Sequence, residues 1–178
     1  MHDLIETERL RLRRPVPEDA ESIFTEYAQD PDVTRYLSWV PHTSIDETRA
    51  FLQWCEDSWS EGSRYPWVIS LLDDDAAVGM IELRPDDPRD SVGFVLTREL
   101  WDQGYVTEAL RAVLHLACGD IGMERVGACC HIANRASARV MEKAGMKQVS
   151  RGECSGMYPN AGDQPEESFF YSWTPPSP

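Results

Sequence analysis

Two short stretches of this 178-residue chain combine residue types that can do chemistry. The first is Trp101-Asp102-Gln103-Gly104-Tyr105-Val106-Thr107-Glu108-Ala109, which follows the apolar run Val92-Gly93-Phe94-Val95-Leu96. A strand-like run, a loop, a glycine and a strong helical pattern put bare backbone amides at a helix start. Those amides carry partial positive charge from the helix dipole. Gly104 removes a side chain where the backbone can meet a ligand. The first amides of that helix and Gly104 thus form a candidate cradle for a phosphate or diphosphate. The same pattern also fits an ordinary strand-to-helix turn. It is not a Walker A loop, which needs a Lys after its last glycine, and G-x-G-x-x-G is absent.

The second stretch is His131-Ile132-Ala133-Asn134-Arg135-Ala136-Ser137, with Glu142-Lys143-Ala144-Gly145-Met146 beyond it. Asn134 follows a strand pattern and can cap the next helix. Ser137, three residues on, falls in that helix's first turn. Both side chains can face the end of the preceding strand, although a plain cap and a solvent-facing serine fit the spacing equally.

The elements that must position these groups read as β α α β β β α β α β β. Residues 5–13 alternate as a strand, and Pro17-Glu18-Asp19 opens a helix. Thr43 or Ser44 can cap a second helix to about residue 60. Residues 67–72 and 77–84 flank Asp73-Asp74-Asp75 as a hairpin. Residues 91–97 read as a strand, 107–122 as a helix, 125–131 as a strand and 136–144 as a short helix closed by Gly145. Residues 146–151 and 168–173 supply the closing strands. Strand–helix–strand order implies a crossover with nearly parallel strands around the helix. The fold class is mixed α/β, or α+β, with helices on both faces of the sheet. Residues 1–173 form one domain, and the Pro-rich tail 174–178 is expected to fray.

Composition narrows the chemistry. A formal net charge of −14 repels nucleic-acid phosphates, so no nucleic-acid partner is expected. It attracts cationic partners such as amines or basic peptides, or simply aids solubility. No apolar run reaches the roughly 18 residues of a membrane span, and residues 1–14 lack a secretory apolar core. A cytoplasmic protein without membrane partners is the expectation. The five cysteines are odd in number and form no C-x-x-C, which speaks against a disulfide framework or a zinc site. Cys118, Cys129 and Cys130 lie in apolar segments and read as buried inert thiols. No metal is expected.

Taken together, these stretches resemble the GNAT acyltransferase superfamily, and within it the RimJ/RimL branch of ribosomal-protein alanine N-acetyltransferase-like proteins. Thr7-Glu8-Arg9-Leu10-Arg11-Leu12-Arg13, Gly93-Phe94, the two stretches above, Tyr158-Pro159-Asn160 and Tyr171 carry the resemblance, which spans nearly the whole chain. The family's phosphate loop, Q/R-x-x-G-x-G/A, has Trp101 in its first position here and Val106 in its last.

The resemblance implies a strongly twisted sheet of six to seven strands with a splayed central parallel pair, residues 91–97 and 125–131. It implies acetyl-CoA as co-substrate, with pantetheine along Phe94, Val95 and Leu96 and the diphosphate on residues 103–107. Asn134 and Ser137 border the cofactor, and Arg98 can add charge near the phosphates. Ser137 matches the position that protonates the leaving thiolate. Asp90 and Glu82, on or beside the central strands, are the candidate bases, followed by Glu153 and His131. Transfer is direct, without an acyl-cysteine. The implied acceptor is a primary amine, foremost a protein N-terminal α-amino group. A small amine, amino acid, polyamine or antibiotic is the alternative, as is a non-catalytic acyl-CoA-binding module. Trp39, Trp54, Trp59 and Tyr158 can line the acceptor groove, and the protein is expected to be a monomer or homodimer.

Overall fold

The computed structural model describes residues 1–87, 89, 91–153, 157–162 and 167–175. Asp90, Cys154 and residues 176–178 of the tail lie outside them. The strand expected over residues 5–13 is instead a tight hairpin, β1 (Leu4–Glu6) paired antiparallel with β2 (Leu10–Arg13). Thr7 makes the break. Its amide donates to the Leu10 carbonyl (2.9 Å), and its hydroxyl oxygen accepts from the Leu10 amide (3.1 Å). A Thr side chain offering the backbone such a partner competes with strand continuation.

The helix opened by Pro17 is short and irregular. A 3₁₀ turn (Pro17–Asp19) leads into α1 (Ala20–Ile23) and then a π-helical turn over Phe24–Ala28. Helix α2 (Pro31–Thr34) was not anticipated, although Asp30-Pro31 carried its signal. The Asp30 carboxylate accepts from the amides of Asp32 and Val33, and Pro31 opens the helix. Helix α3 (Ile45–Glu61) starts at Ser44 without a bond from that side chain. Glu47 supplies the cap, accepting from the Thr43 amide (2.8 Å) and hydroxyl (3.0 Å).

Strands β3 (Tyr65–Leu71), β4 (Asp74–Leu83) and β5 (Val92–Leu96) complete a five-stranded antiparallel sheet in the order β1-β2-β3-β4-β5. Helix α4 (Tyr105–Gly119) and β6 (Val126–His131) follow, then α5 (Arg135–Lys143), β7 (Lys147–Glu153) and β8 (Glu167–Trp173). The last three strands form a second sheet, β6-β8-β7. Among the described residues the count of eight strands exceeds the expected six to seven because the first strand is a hairpin.

Strand β3 is buried on both parities, which demands cover on both faces. Trp67 and Ile69, with Ile81 and Leu83 of β4, pack on Leu110, Val113 and Leu114 of α4 and Met141 of α5. Val68, Ala77 and Met80 point the other way, onto Ile23 of α1, Tyr27 of the π-helical turn, and Leu52 and Cys55 of α3. Each fully buried Leu or Ile here contributes about 1.5–3 kcal/mol by removal from water. Helices on both faces thus hold the first sheet rigid at the point where β5 ends.

Candidate active site

Strands β5 and β6 start together and then part. The Gly127 amide donates to Ser91 Oγ (3.1 Å), and that hydroxyl donates to the Asp87 carbonyl (2.7 Å). Ser91 is fully buried. Beyond this pin no ladder joins the two strands. Phe94, Val95 and Leu96 pair with Ile81, Met80 and Gly79 of β4, while Cys129 and Cys130 pair with Phe170 and Phe169 of β8. The facing edges are open, as on the rim of a sheet that can accept an added strand. A cavity of about 580 Å³ fills the fork. Ser91 is a residue that local spacing could not reveal, since its partner across the fork, Gly127, lies 36 residues away.

Helix α4 points its start into this cavity. Gly104 stands at the N-cap with φ +83°, and no side chain caps the helix. A Cβ there would meet only Arg9 Nη2, at 3.7 Å, so the left-handed backbone is what requires glycine. Among the described residues the amides of Tyr105, Val106 and Thr107 have no hydrogen-bond acceptor. The helix start is clamped from behind by the β1–β2 turn. The Glu108 carboxylate accepts from the Thr7 hydroxyl (2.6 Å), the Arg9 amide (2.9 Å) and Arg9 Nε (2.7 Å). Arg9 Nη1 also donates to the Gln103 carbonyl (3.1 Å), and its guanidinium lies 4.4 Å from the Tyr105 ring centre. Burial pushes the Glu108 carboxyl up, but the hydrogen bonds from Thr7 and Arg9 outweigh it and hold it below the usual carboxylate range. In the first turn of α4 the Glu108 carboxylate also complements the helix dipole. The clamp adds partners from a hundred residues away.

The second stretch closes the other side. Asn134 Oδ1 accepts from the Ser137 amide (3.1 Å), so Asn134 caps α5. Ser137 lies beside the Cys130 thiol. Burial pushes that thiol up to about 12, against a hydrogen bond from Ser137 that works the other way. Phe94, Val95, Leu96, Gly104, Tyr105, Val106, Thr107, Asn134 and Ser137 all line the one cavity. Gln103 does not; its side-chain amide donates to the Glu99 carbonyl (3.0 Å).

The other candidates are placed differently. The Glu82 carboxylate is held by Arg64 (2.9 Å) and Arg84 (3.5 Å) and is not part of the cavity wall. Glu153 is exposed at the end of β7. His131 is 1% exposed, stacked on Tyr36, and its Nδ1 accepts from the Ala133 amide (3.1 Å). Arg98 does not stand at the amide cradle; it pairs with Asp32 (2.8 Å) and Asp30 (3.5 Å). Trp59 is a core residue packed edge-on against Trp67. Trp54 is exposed on α3 and stacked with Phe51, and the Trp39 carbonyl accepts from Asn160, so of the four aromatics only Tyr158 lines the cavity.

Charge is distributed unevenly. Arg35, Arg135, Arg139 and Lys143 line the cavity, and among the described residues none of the four has a carboxylate ion-pair partner. In a chain with 31 acidic and 17 basic residues, that concentration of unpaired cations suits an anionic ligand. Cys55 and Cys130 are buried free thiols, whereas Cys118 and Cys129 are only partly buried. Among the described residues no group of three or more His, Cys, Asp or Glu side chains could hold a metal ion, and no helix is long and apolar enough to cross a membrane.

The acetyltransferase (GNAT) domain family matches residues 9–147. An uncharacterised N-acetyltransferase of Bacillus subtilis, YoaA, is 29% identical over 151 residues, covering 83% of this chain and 85% of the relative. The structure superposes on a GNAT-family acetyltransferase of Bacillus anthracis with a TM-score of 0.80, at 25% identity over 96% of this chain and 98% of the other. It superposes on RimL, a ribosomal α-N-protein acetyltransferase bound to coenzyme A, with a TM-score of 0.83, at 17% identity over 96% of this chain and 97% of that one.

Proposed function

The chain belongs to the GNAT acetyltransferase family and is an acyl-CoA-dependent N-acetyltransferase; from that premise we propose that it acetylates a protein N-terminal α-amino group, using acetyl-CoA, by direct attack. The observation that carries this reading is the open fork between β5 and β6, with the bare start of α4 at one lip and Ser137 at the other. Coenzyme A is an anion on a peptide-like arm. The amides of Tyr105, Val106 and Thr107, with Gly104 leaving room, receive the diphosphate. The free edge of Phe94, Val95 and Leu96 pairs with the pantetheine amides.

Acidity and the α-N-protein activity named for RimL support this choice of acceptor. An α-amino group has a reference pKa of about 7.7–8.0, against about 10.4 for Lys, so much of it is neutral at physiological pH. Its nitrogen attacks the thioester carbonyl, and a backbone amide of the splayed strand meets the oxyanion. The C–N bond forms and the C–S bond breaks. The Ser137 hydroxyl donates its proton to the leaving thiolate and is reprotonated by water, and the ammonium proton passes to solvent through the open mouth. Glu82 serves by holding Arg84 in place. Cys130 stays out of the chemistry, because a thiol pushed up to about 12 is protonated at neutral pH. Holding the two reactants in line supplies much of the rate.

The test is thiol release from acetyl-CoA over a panel of amines. Peptides with a free α-amine should turn over at least about tenfold faster than the same peptides N-blocked but carrying Lys, given the pKa gap. Faster turnover with polyamines or lysine side chains would overturn the α-amine assignment.

A further inference from the structure

We propose that the acceptor half of the cavity selects an α-amine followed by carboxylate side chains, an acidic peptide N-terminus, and that Arg35 is the residue that reads it. The inference deepens the acetyl-transfer reading above and rests on it. The cavity wall away from α4 and α5 includes residues 35–38, just after α2, and Arg84, which follows β4. The Arg84 guanidinium lies against the β5 backbone, where a Cβ on Gly93 would come within 3.2 Å of its Nη1.

This wall is fixed in place. The Asn160 side-chain amide donates to the Thr34 carbonyl (2.9 Å) and to the Trp39 carbonyl (2.7 Å), bracketing the segment from both ends. Between those two bonds the Tyr36 ring stacks on buried His131, with centres 4.9 Å apart and planes 14° apart. His131 in turn meets Tyr158 edge-on at 5.1 Å, and the Tyr158 hydroxyl is 2.6 Å from buried Ser168 Oγ. A wall held in this way lowers the ordering entropy of its backbone on binding, so that only the Arg35 side chain has to be ordered.

The charges on the wall are unequal. Asp32 lines it too, but its carboxylate is engaged by Arg98 at 2.8 Å. Arg35 is exposed, lies 5.3 Å over the Tyr36 ring, and has no carboxylate partner among the described residues. A guanidinium planted on an aromatic ring keeps its planar fork turned outward, the geometry that takes a carboxylate through two parallel hydrogen bonds. The net charge of −14 does not oppose this at close range, because exposed charges beyond about 8–10 Å are screened at physiological salt. The overall charge favours basic partners at a distance, and the cavity mouth favours an acid on contact.

The experiment compares three peptides identical except at their second and third positions, Ser-Glu-Glu, Ser-Gln-Gln and Ser-Lys-Lys, by initial rates of thiol release with the full chain. The acidic peptide should exceed the neutral one in kcat/KM by about tenfold, with the gain in KM, as a charge-assisted bidentate contact allows. In Arg35→Gln that ratio should fall to about 1, and Arg35→Lys should restore part of it. Arg49→Gln, which breaks an exposed pair on α3, should leave the ratio as it is. Preference for the neutral or basic peptide, or an acidic preference that survives Arg35→Gln, overturns the proposal. If no amine releases thiol while acetyl-CoA binds, the acetyl-transfer reading fails. Titration of the same peptides into the acetyl-CoA complex then decides the role of Arg35 separately, with equal affinities for all three counting against it.

Discussion

The donor side and the acceptor side proposed for the cavity are built on different principles. The donor side is a continuous piece of chain, in which a strand ends, the backbone turns through Gly104, and a helix starts. Its phosphate contacts come from backbone amides, and the helix dipole adds to the charge of Arg135, Arg139 and Lys143. The acceptor side joins residues 34–39 to Tyr158 and Asn160, more than 120 positions away, and works through side chains. The first can stay the same for any acyl-CoA, while the second can change with every acceptor. A shared fold therefore fixes the cofactor far more firmly than the substrate.

Four substitutions sharpen that contrast, from the largest expected effect to the smallest. Gly104→Glu puts a negative side chain at the cradle and a Cβ on a left-handed backbone, so acetyl-CoA affinity by calorimetry should fall by at least about 100-fold. A folded variant with unchanged affinity would remove the helix start from the donor site. Ser137→Ala should lower kcat by about 10–100-fold, in the range of general acid catalysis, with the Kd for coenzyme A held within about twofold. Full turnover would exclude its hydroxyl from proton transfer.

Asn160→Ala breaks the comparison from the other side. It removes two hydrogen bonds worth roughly 0.5–1.5 kcal/mol each, so the acceptor KM should rise several-fold while coenzyme A affinity stays level. A parallel loss of coenzyme A affinity would show that the two halves are not independent. Glu108→Gln should have the smallest effect on rate and act on stability instead. The folded carboxyl is held below its ordinary value of 4.5, so its contribution is fully present above pH 4.5 and is lost as pH falls through the lower folded value. Thermal melts of the variant should lie a few degrees below the wild type at pH 7, and the two should converge toward pH 3. A constant offset at every pH would mean that the Glu108 charge adds nothing.

The same division explains what the sequence could reveal. Gly104, Asn134 and Ser137 were legible because cap, glycine and helix lie within a few residues of each other, and local geometry follows local spacing. The hydrophobic period placed α3 and α4 within two or three residues of their ends. Thr7, by contrast, turned an apparent strand into a hairpin through a hydrogen bond that alternation does not encode. Asp30-Pro31 carried a cap signal for α2, but four residues make no periodicity. Ser91 at the root of the fork, and Asn160 bracketing the acceptor wall, acquire their roles only when distant segments meet. Arg98 looked close to the phosphates because it precedes the cradle in sequence, yet it turns to Asp32 and Asp30. Glu82 was named for its place on a central strand; Arg84 stands two residues on, whereas Arg64 reaches it only through the pairing of β3 with β4.

A crystal structure of the complex with coenzyme A bears most directly on the whole account. It should show the diphosphate about 3 Å from the amides of Tyr105, Val106 and Thr107, and the pantetheine arm lying between Phe94–Leu96 and the start of α5. Coenzyme A bound elsewhere, or β5 and β6 joined by a continuous ladder with the ligand excluded, would contradict it.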